Sequence, residues 1–219
     1  MTSTKKLTRY ILSRFGGNVI TKDETKDTCK RFGADVNSRI NLMISYGYFV
    51  RILRGLYYVK TLEEFELRKS PDVYRVLSLG LNKLKVKWYF GLYTSLRLNG
   101  LTHEFYGTIF VLNDKIYRPK EIKVGGEKVK FVKLSNKLVD FGIMNESGMR
   151  FSDIEKTLLD FVYISRYRSV PEGRITSMIE EYRKRAKADK IMEYLKFYPK
   201  SVEKVVRDAG LVWVHHICG

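Results

Sequence analysis

Asp35-Val-Asn-Ser-Arg-Ile-Asn-Leu-Met-Ile-Ser-Tyr-Gly47, followed at once by Tyr48-Phe-Val-Arg-Ile-Leu-Arg-Gly-Leu-Tyr-Tyr-Val-Lys60, decides the fold. In the first half Val36, Ile40, Met43 and Ile44 fall at i, i+4, i+7 and i+8, which puts an apolar stripe on one face of a short helix. The opposite face carries Asn37, Ser38, Arg39, Asn41 and Ser45. Asp35 is suited to N-cap this helix and Gly47 to end it. The second half holds two β-rich runs joined at Arg54-Gly55, the pattern of a hairpin. A helix with small hydrogen-bonding groups outward, next to a hairpin carrying Arg51 and Arg54, suits duplex DNA. The helix would enter the major groove, and the arginines would lie on flanking phosphate or in the minor groove.

Upstream, Leu7, Tyr10, Ile11 and Phe15 predict a first helix, ended by Gly16-Gly17. After the short apolar link Val19-Ile20, Thr21-Lys-Asp-Glu24 matches the capping box Ser/Thr-x-x-Glu. The helix it opens runs to Arg31-Phe-Gly33, with Thr25, Cys29 and Phe32 as a thin inner stripe and Lys22, Lys26 and Lys30 along one outer edge. Helix, β link, helix, turn, helix and hairpin in this order make a winged helix-turn-helix, expected over residues 1–62. The whole is expected to be α+β, with a mixed α/β domain over 70–219 that ends in a helical tail, 166–219, of unassigned role.

Thr61 to Lys69 reads as a charged connector. Ser70-Pro71 looks like N-cap and first residue of a helix whose apolar side is Val73, Val76, Leu77 and Leu81. Trp88 to Asn99 predicts a helix closed by Gly100, and 107–113 and 121–134 predict strands with a hairpin turn at Gly125-Gly126. Ser152-Asp-Ile-Glu155 repeats the capping-box pattern before a helix reaching Tyr163, with Ile154, Leu158, Phe161 and Val162 inward. The tail alternates helical stripes (Ile175, Met178, Ile179, Tyr182; Ile191, Leu195; Val202, Val205, Val206) and stops at Gly210.

Charge narrows the partners. Lys and Arg number 41 against 24 acids in 219 residues, a net +17, and the pI is near 9.8. Such an excess attracts polyanions, nucleic acid first and acidic membrane surfaces second. Residues 1–69 hold 14 bases against 7 acids, the densest excess per residue in the chain. No apolar run has the length of a membrane span and the N-terminus lacks a signal-like apolar region, so a cytoplasmic protein is expected. Cys29 and Cys218, far apart, fit a reducing compartment rather than a disulfide framework.

Each sharp reading has a plain rival. Asn37, Ser38, Arg39 and Asn41 could form merely the solvated face of a small helix. Arg51 and Arg54 could be strand-edge charges that discourage aggregation, and Lys22, Lys26 and Lys30 general electrostatic contacts. The same basic surface would serve a protein-interaction or RNA-binding module that reads no sequence. Asp114 with Glu121-Ile-Lys123 echoes the Asp…Glu-x-Lys arrangement of metal-dependent nucleases, in which two carboxylates hold an ion and lysine positions water; a basic hairpin face accounts for it equally well. His215, His216 and Cys218 fall short of a four-ligand zinc set unless Cys29 or His103 approaches, and are expected to be incidental. Trp88, Tyr89 and Phe90 are expected to be core aromatics. No enzymatic role, metal or cofactor is expected.

Three stretches together resemble the AbiEi-type antitoxins of type IV toxin–antitoxin pairs: Ile52-Leu-Arg-Gly-Leu-Tyr57 is similar to their wing, Gly91-Leu-Tyr-Thr-Ser-Leu-Arg-Leu-Asn-Gly-Leu-Thr-His103 to the helix that begins their second domain, and Ser152-Asp-Ile-Glu-Lys-Thr-Leu-Leu-Asp160 to the helix near that domain's end. The resemblance covers roughly residues 5–165. It implies a transcriptional repressor whose winged helix binds inverted repeats in double-stranded DNA at its own promoter. It also implies a nucleotidyltransferase toxin as genetic partner, not bound directly. By that resemblance DNA contacts would fall on Asn37, Ser38, Arg39 and Asn41 and on Arg51 and Arg54; Lys22 and Lys26 join them as electrostatic contacts from the basic helix edge, not from the resemblance. Monomer and homodimer both remain compatible with repeated half-sites.

Overall fold

A computed structural model describes residues 3–102, 107–167 and 179–211. His103, Ile175, Met178, His215, His216 and Cys218 lie outside the described residues, so the expectations placed on them stay at the level of sequence. The chain is α+β and divides into two compact units, Met1–Val86 with Ile122–Lys128, and Lys87–Glu121 with Val129–Gly219.

In the first unit the order is α1 (Ser3–Phe15), β1 (Val19–Thr21), α2 (Lys22–Arg31), α3 (Val36–Ser45), β2 (Phe49–Leu53), β3 (Leu56–Val59), α4 (Leu62–Glu66) and α5 (Val73–Lys83). The three strands form an antiparallel sheet in the order β1-β3-β2, the arrangement of a winged helix. Leu7 and Ile11 of α1, Cys29 of α2, Ile40 and Met43 of α3, and Ile20, Phe49, Tyr57 and Val59 of the sheet share one core. Full burial of an aliphatic side chain of this size contributes roughly 1.5–3 kcal/mol, so this patterning is what fixes the three helices on the sheet.

The unit does not stop at the wing. All four β3 residues are buried, which requires cover on both faces of the sheet. Helix α5 packs against all three strands through Val73, Val76, Leu77 and Leu81. A Cβ at Gly80 would sit 2.8 Å from Ile52 Cδ1 and 3.2 Å from Leu56 Cδ2, so glycine is what lets the helix come this close. The N-cap of α5 is Asp72, accepting the Tyr74 N–H at 2.9 Å, and not Ser70. The stretch expected as a connector contains α4, opened by a full capping box between Thr61 and Glu64. The Tyr58 hydroxyl donates to the Glu64 carboxylate at 3.0 Å.

A second sheet runs β6-β7-β5-β4-β9-β8, built from β4 (Trp88–Phe90), β5 (Thr108–Asn113), β6 (Ile122–Val124), β7 (Glu127–Lys133), β8 (Ile143–Glu146) and β9 (Met149–Ser152). β4 pairs antiparallel with β5 and parallel with β9. The helices of the second unit include α6 (Leu92–Leu98), α7 (Ile154–Tyr167), α8 (Ala188–Leu195) and α9 (Lys200–Asp208). α7 packs against α6, α8 and α9.

The helix expected over Trp88–Asn99 is therefore split. Trp88, Tyr89 and Phe90 form an interior strand, each at zero exposure, and Gly91 caps the shorter helix. A brief apolar run has no distinguishing period, and pairing on both sides settles it as strand. The expected capping box at Ser152 also shifts by one residue. Ser152 is the last residue of β9, opposite Ile143. The carboxylate of Asp153 instead takes the Lys156 N–H at 2.8 Å.

Candidate nucleic-acid interface

Helix α3 is held at both ends by its own sequence. Asp35 Oδ2 accepts the Ser38 backbone N–H at 2.7 Å, and hydrogen bonds from the Ser38 backbone and hydroxyl hold its carboxyl below the usual range. Gly47, at φ +78°, turns the chain out of the helix toward β2. Ile40 and Met43 are buried, whereas Asn37, Ser38, Asn41 and Ser45 are exposed. Two amides one turn apart on an accessible helix edge are the side-chain type that pairs with the N6 and N7 of adenine.

Arg39 stands apart from that face. It lies at the margin of the inner stripe, half-buried, and its charge is felt inside the unit. It helps draw the Asp35 carboxyl down, and it opposes the rise that burial imposes on the Cys29 thiol. The fully exposed side of α3 carries amides and hydroxyls, and Arg39 stands partly exposed at its margin. Three residues before Leu42 and three after Val36, it is carried inward by the helical turn.

The cations come from neighbouring elements. Lys22, Lys26 and Lys30 line the exposed edge of α2, with Lys30 Nζ 4.0 Å from Asp27. The capping box at the head of α2 is complete: Glu24 accepts the Thr21 N–H at 2.8 Å and Thr21 accepts the Glu24 N–H at 3.2 Å. Lys83 Nζ meets Glu24 at 2.5 Å. Burial would raise the Glu24 carboxyl, but the bonds from Lys83 and Thr21 outweigh it and leave it lowered.

The wing is as short as a hairpin can be. Leu53 faces Leu56 across Arg54-Gly55, and Gly55 supplies the φ of +80° that the turn needs. A register shift between Arg51 and Leu53 twists the strand just before it. The turn does not project freely, because the Lys22 N–H donates to the Gly55 carbonyl at 2.8 Å. Arg51 and Arg54 are exposed, and the Gly55 turn lies against the Lys22 side chain. Arg54 and Lys22 therefore mark one corner of the unit.

The metal arrangement suggested by Asp114 and Glu121 does not form. Lys87 N–H donates to Asp114 at one end of β5, while Glu121 accepts from the Thr108 hydroxyl at the other. At about 3.3 Å per strand residue, Thr108 and Asp114 stand roughly 20 Å apart, too far for one ion. Lys123 is exposed on β6. Among the described residues no group of three or more His, Cys, Asp or Glu is placed to hold a metal.

The Glu155-Lys-Thr-Leu-Leu-Asp160 run, legible in sequence only as a capped amphipathic helix, builds a buried polar network instead. Lys156 and Asp160 are fully buried, 3.3 Å apart. Lys156 also donates to the Leu138 carbonyl at 2.7 Å and lies over the Phe141 and Tyr89 rings. The Tyr89 and Tyr198 hydroxyls each donate to Asp160 at 2.7 Å. Burial pushes the Asp160 carboxyl up and the Lys156 ammonium down, against their mutual attraction. Asp153 accepts from the Tyr194 hydroxyl at 2.8 Å and pairs with Lys190 at 2.7 Å. The cue available in sequence was Lys and Asp four apart on an otherwise apolar helix.

Among the described residues no helix is long and apolar enough to cross a membrane. No family model matches the chain, and no curated protein does. Among solved structures the chain is similar to the RV2827C protein from Mycobacterium tuberculosis, at 13% identity and a TM-score of 0.57 over 96% of this chain and 78% of that one. A likeness at that identity is one of fold.

Proposed function

We propose that the protein is a sequence-specific double-stranded DNA-binding repressor that reads its site with α3. The observation that carries this is the accessible edge of α3, with Asn37 and Asn41 on a helix capped at both ends and seated in winged-helix order. Lys22, Lys26, Arg51 and Arg54 capture the phosphate backbone, and the amides then set register on base edges. Bound across its own promoter, the protein blocks polymerase. The role of autoregulating antitoxin, with a nucleotidyltransferase toxin as genetic partner, rests on the resemblance in Ile52–Tyr57, Gly91–His103 and Ser152–Asp160. Because Arg39 is half-buried, base reading falls to Asn37 and Asn41, with Ser38 tied to the cap.

A gel shift comparing the gene's own upstream repeat with a scrambled duplex tests this. Tight, salt-sensitive binding of the repeat and weaker binding of the scrambled duplex are expected, with log K falling by about 0.9 per phosphate neutralised as log salt rises. Equal affinity for both duplexes would overturn sequence reading.

A further inference from the structure

The geometry points to a second binding groove, in the second unit, that takes an unpaired nucleotide of single-stranded nucleic acid by stacking on Tyr117 between cationic side chains. The groove has a volume of about 600 Å³ and lies between the loop 114–120, β7 and α7. Its apolar wall includes Val132 and Leu134, and its cations are Arg118, Lys130 and Lys133. Among the described residues no carboxylate lines it.

Tyr117 is what needs explaining. It is 69% exposed, yet its loop is tied down. The buried Asn113 side chain accepts the Lys115 N–H at 3.1 Å and the Ile116 N–H. Its amide donates to the Ile116 and Val132 carbonyls at 3.1 and 3.2 Å. On the far side of Tyr117, Lys130 Nζ donates to the Pro119 carbonyl at 2.5 Å. A loop pinned before and after an outward aromatic presents that ring at small ordering cost on binding.

The chemistry fits one ligand class. An aromatic ring offers a stacking platform to any base whose face is open, and the neighbouring cations take the phosphates on either side. Bases inside a duplex have no open face, so the groove discriminates by strandedness rather than by sequence. This site shares no residue with α3 or the wing and stands independently of the repressor proposal.

Fluorescence anisotropy on the full chain tests it, using labelled dT12, rU12 and a 12-base-pair duplex at fixed salt. Tyr117→Ala is expected to weaken dT12 or rU12 about tenfold, Tyr117→Phe to keep wild-type affinity, and neither to alter duplex binding. Arg118→Ala with Lys133→Ala is expected to weaken the single strands and reduce their salt slope. The dT12 and rU12 arms distinguish DNA from RNA as the source. Photocrosslinking of 4-thiouridine-substituted rU12 should place the adduct on Tyr117 in mass spectra. Unchanged single-strand affinity in Tyr117→Ala, or equal loss of single strand and duplex, would overturn the proposal. Loss of operator reading in an Asn37→Ala, Asn41→Ala variant that still binds dT12 keeps the two sites separable.

Discussion

Helices α3 and α7 begin alike and end up with opposite uses. Each is opened by an aspartate that accepts the N–H three residues on, Asp35 from Ser38 at 2.7 Å and Asp153 from Lys156 at 2.8 Å. Each mixes an apolar stripe with polar residues. In α3 the polar side faces water, with Asn37 and Asn41 exposed. In α7, Glu155, Lys156, Thr157 and Asp160 are buried; Glu155 accepts the Lys187 N–H and pairs with Lys190, and the other three bond to tyrosines, serines and a carbonyl of the same unit. Polar residues on a helix mark a ligand surface only where the fold has not already partnered them. Burial of a charge demands an internal partner, and Glu155, Lys156 and Asp160 of α7 each have one.

That contrast can be broken most forcefully at Asp160. Asp160→Ala strands the Lys156 ammonium in the core and is expected to cost roughly 3–5 kcal/mol, read by denaturant unfolding. Combining Lys156→Met with Asp160→Leu should recover most of it; a single variant that unfolds like wild type would show that the network is ornamental.

On α3 the expected loss is of function alone. Asn37→Ala with Asn41→Ala should reduce discrimination between the upstream repeat and scrambled duplex by about 1–3 kcal/mol for each amide that pairs with a base. The melting curve should stay within about 0.5 kcal/mol of wild type, as for ordinary surface changes. Footprints that survive the double change would move the reading surface elsewhere.

The two caps sharpen the comparison further. Asp35→Ala removes a cap alone and should cost about 1 kcal/mol. Asp153→Ala also removes the partner of the Tyr194 hydroxyl and of Lys190, so it should cost more, and equal costs would contradict the network.

Carboxyl NMR titration gives the smallest signal and the clearest sign. Asp35 is lowered from its ordinary 3.8, so its stabilisation is present above that value and drains away as pH falls through the folded-state pKa. Asp160 is raised from the same 3.8 by burial, so its ionised form costs stability at higher pH and the cost is relieved as pH falls through the folded-state pKa. Asp160 must therefore protonate at a higher pH than Asp35; the reverse order would refute its burial.

Much of the first unit was legible because its signals are local. The stripe Val36, Ile40, Met43, Ile44, the cap at Asp35, the capping box Thr21–Glu24 and the turn Arg54-Gly55 each act within a few residues of themselves. The same local signal at Thr61–Glu64 was available for α4, hidden within a charged stretch. The exposed amides of α3 followed from the helical period. The same period sets Arg39 at the margin of the apolar stripe, where it is half-buried.

What sequence alone determined was which segments are amphipathic, where three helices start or stop, and that the chain carries a net +17. Tertiary structure decided that Trp88–Phe90 is an interior strand, that α5 closes the back of the wing sheet, and that Asp114 and Glu121 stand at opposite ends of β5. It also decided that Lys156 and Asp160 face each other in the dark of the core. The physical reason is range. Caps and periodicity are settled between neighbours along the chain, whereas strand pairing and charge burial are settled by residues that meet only after folding.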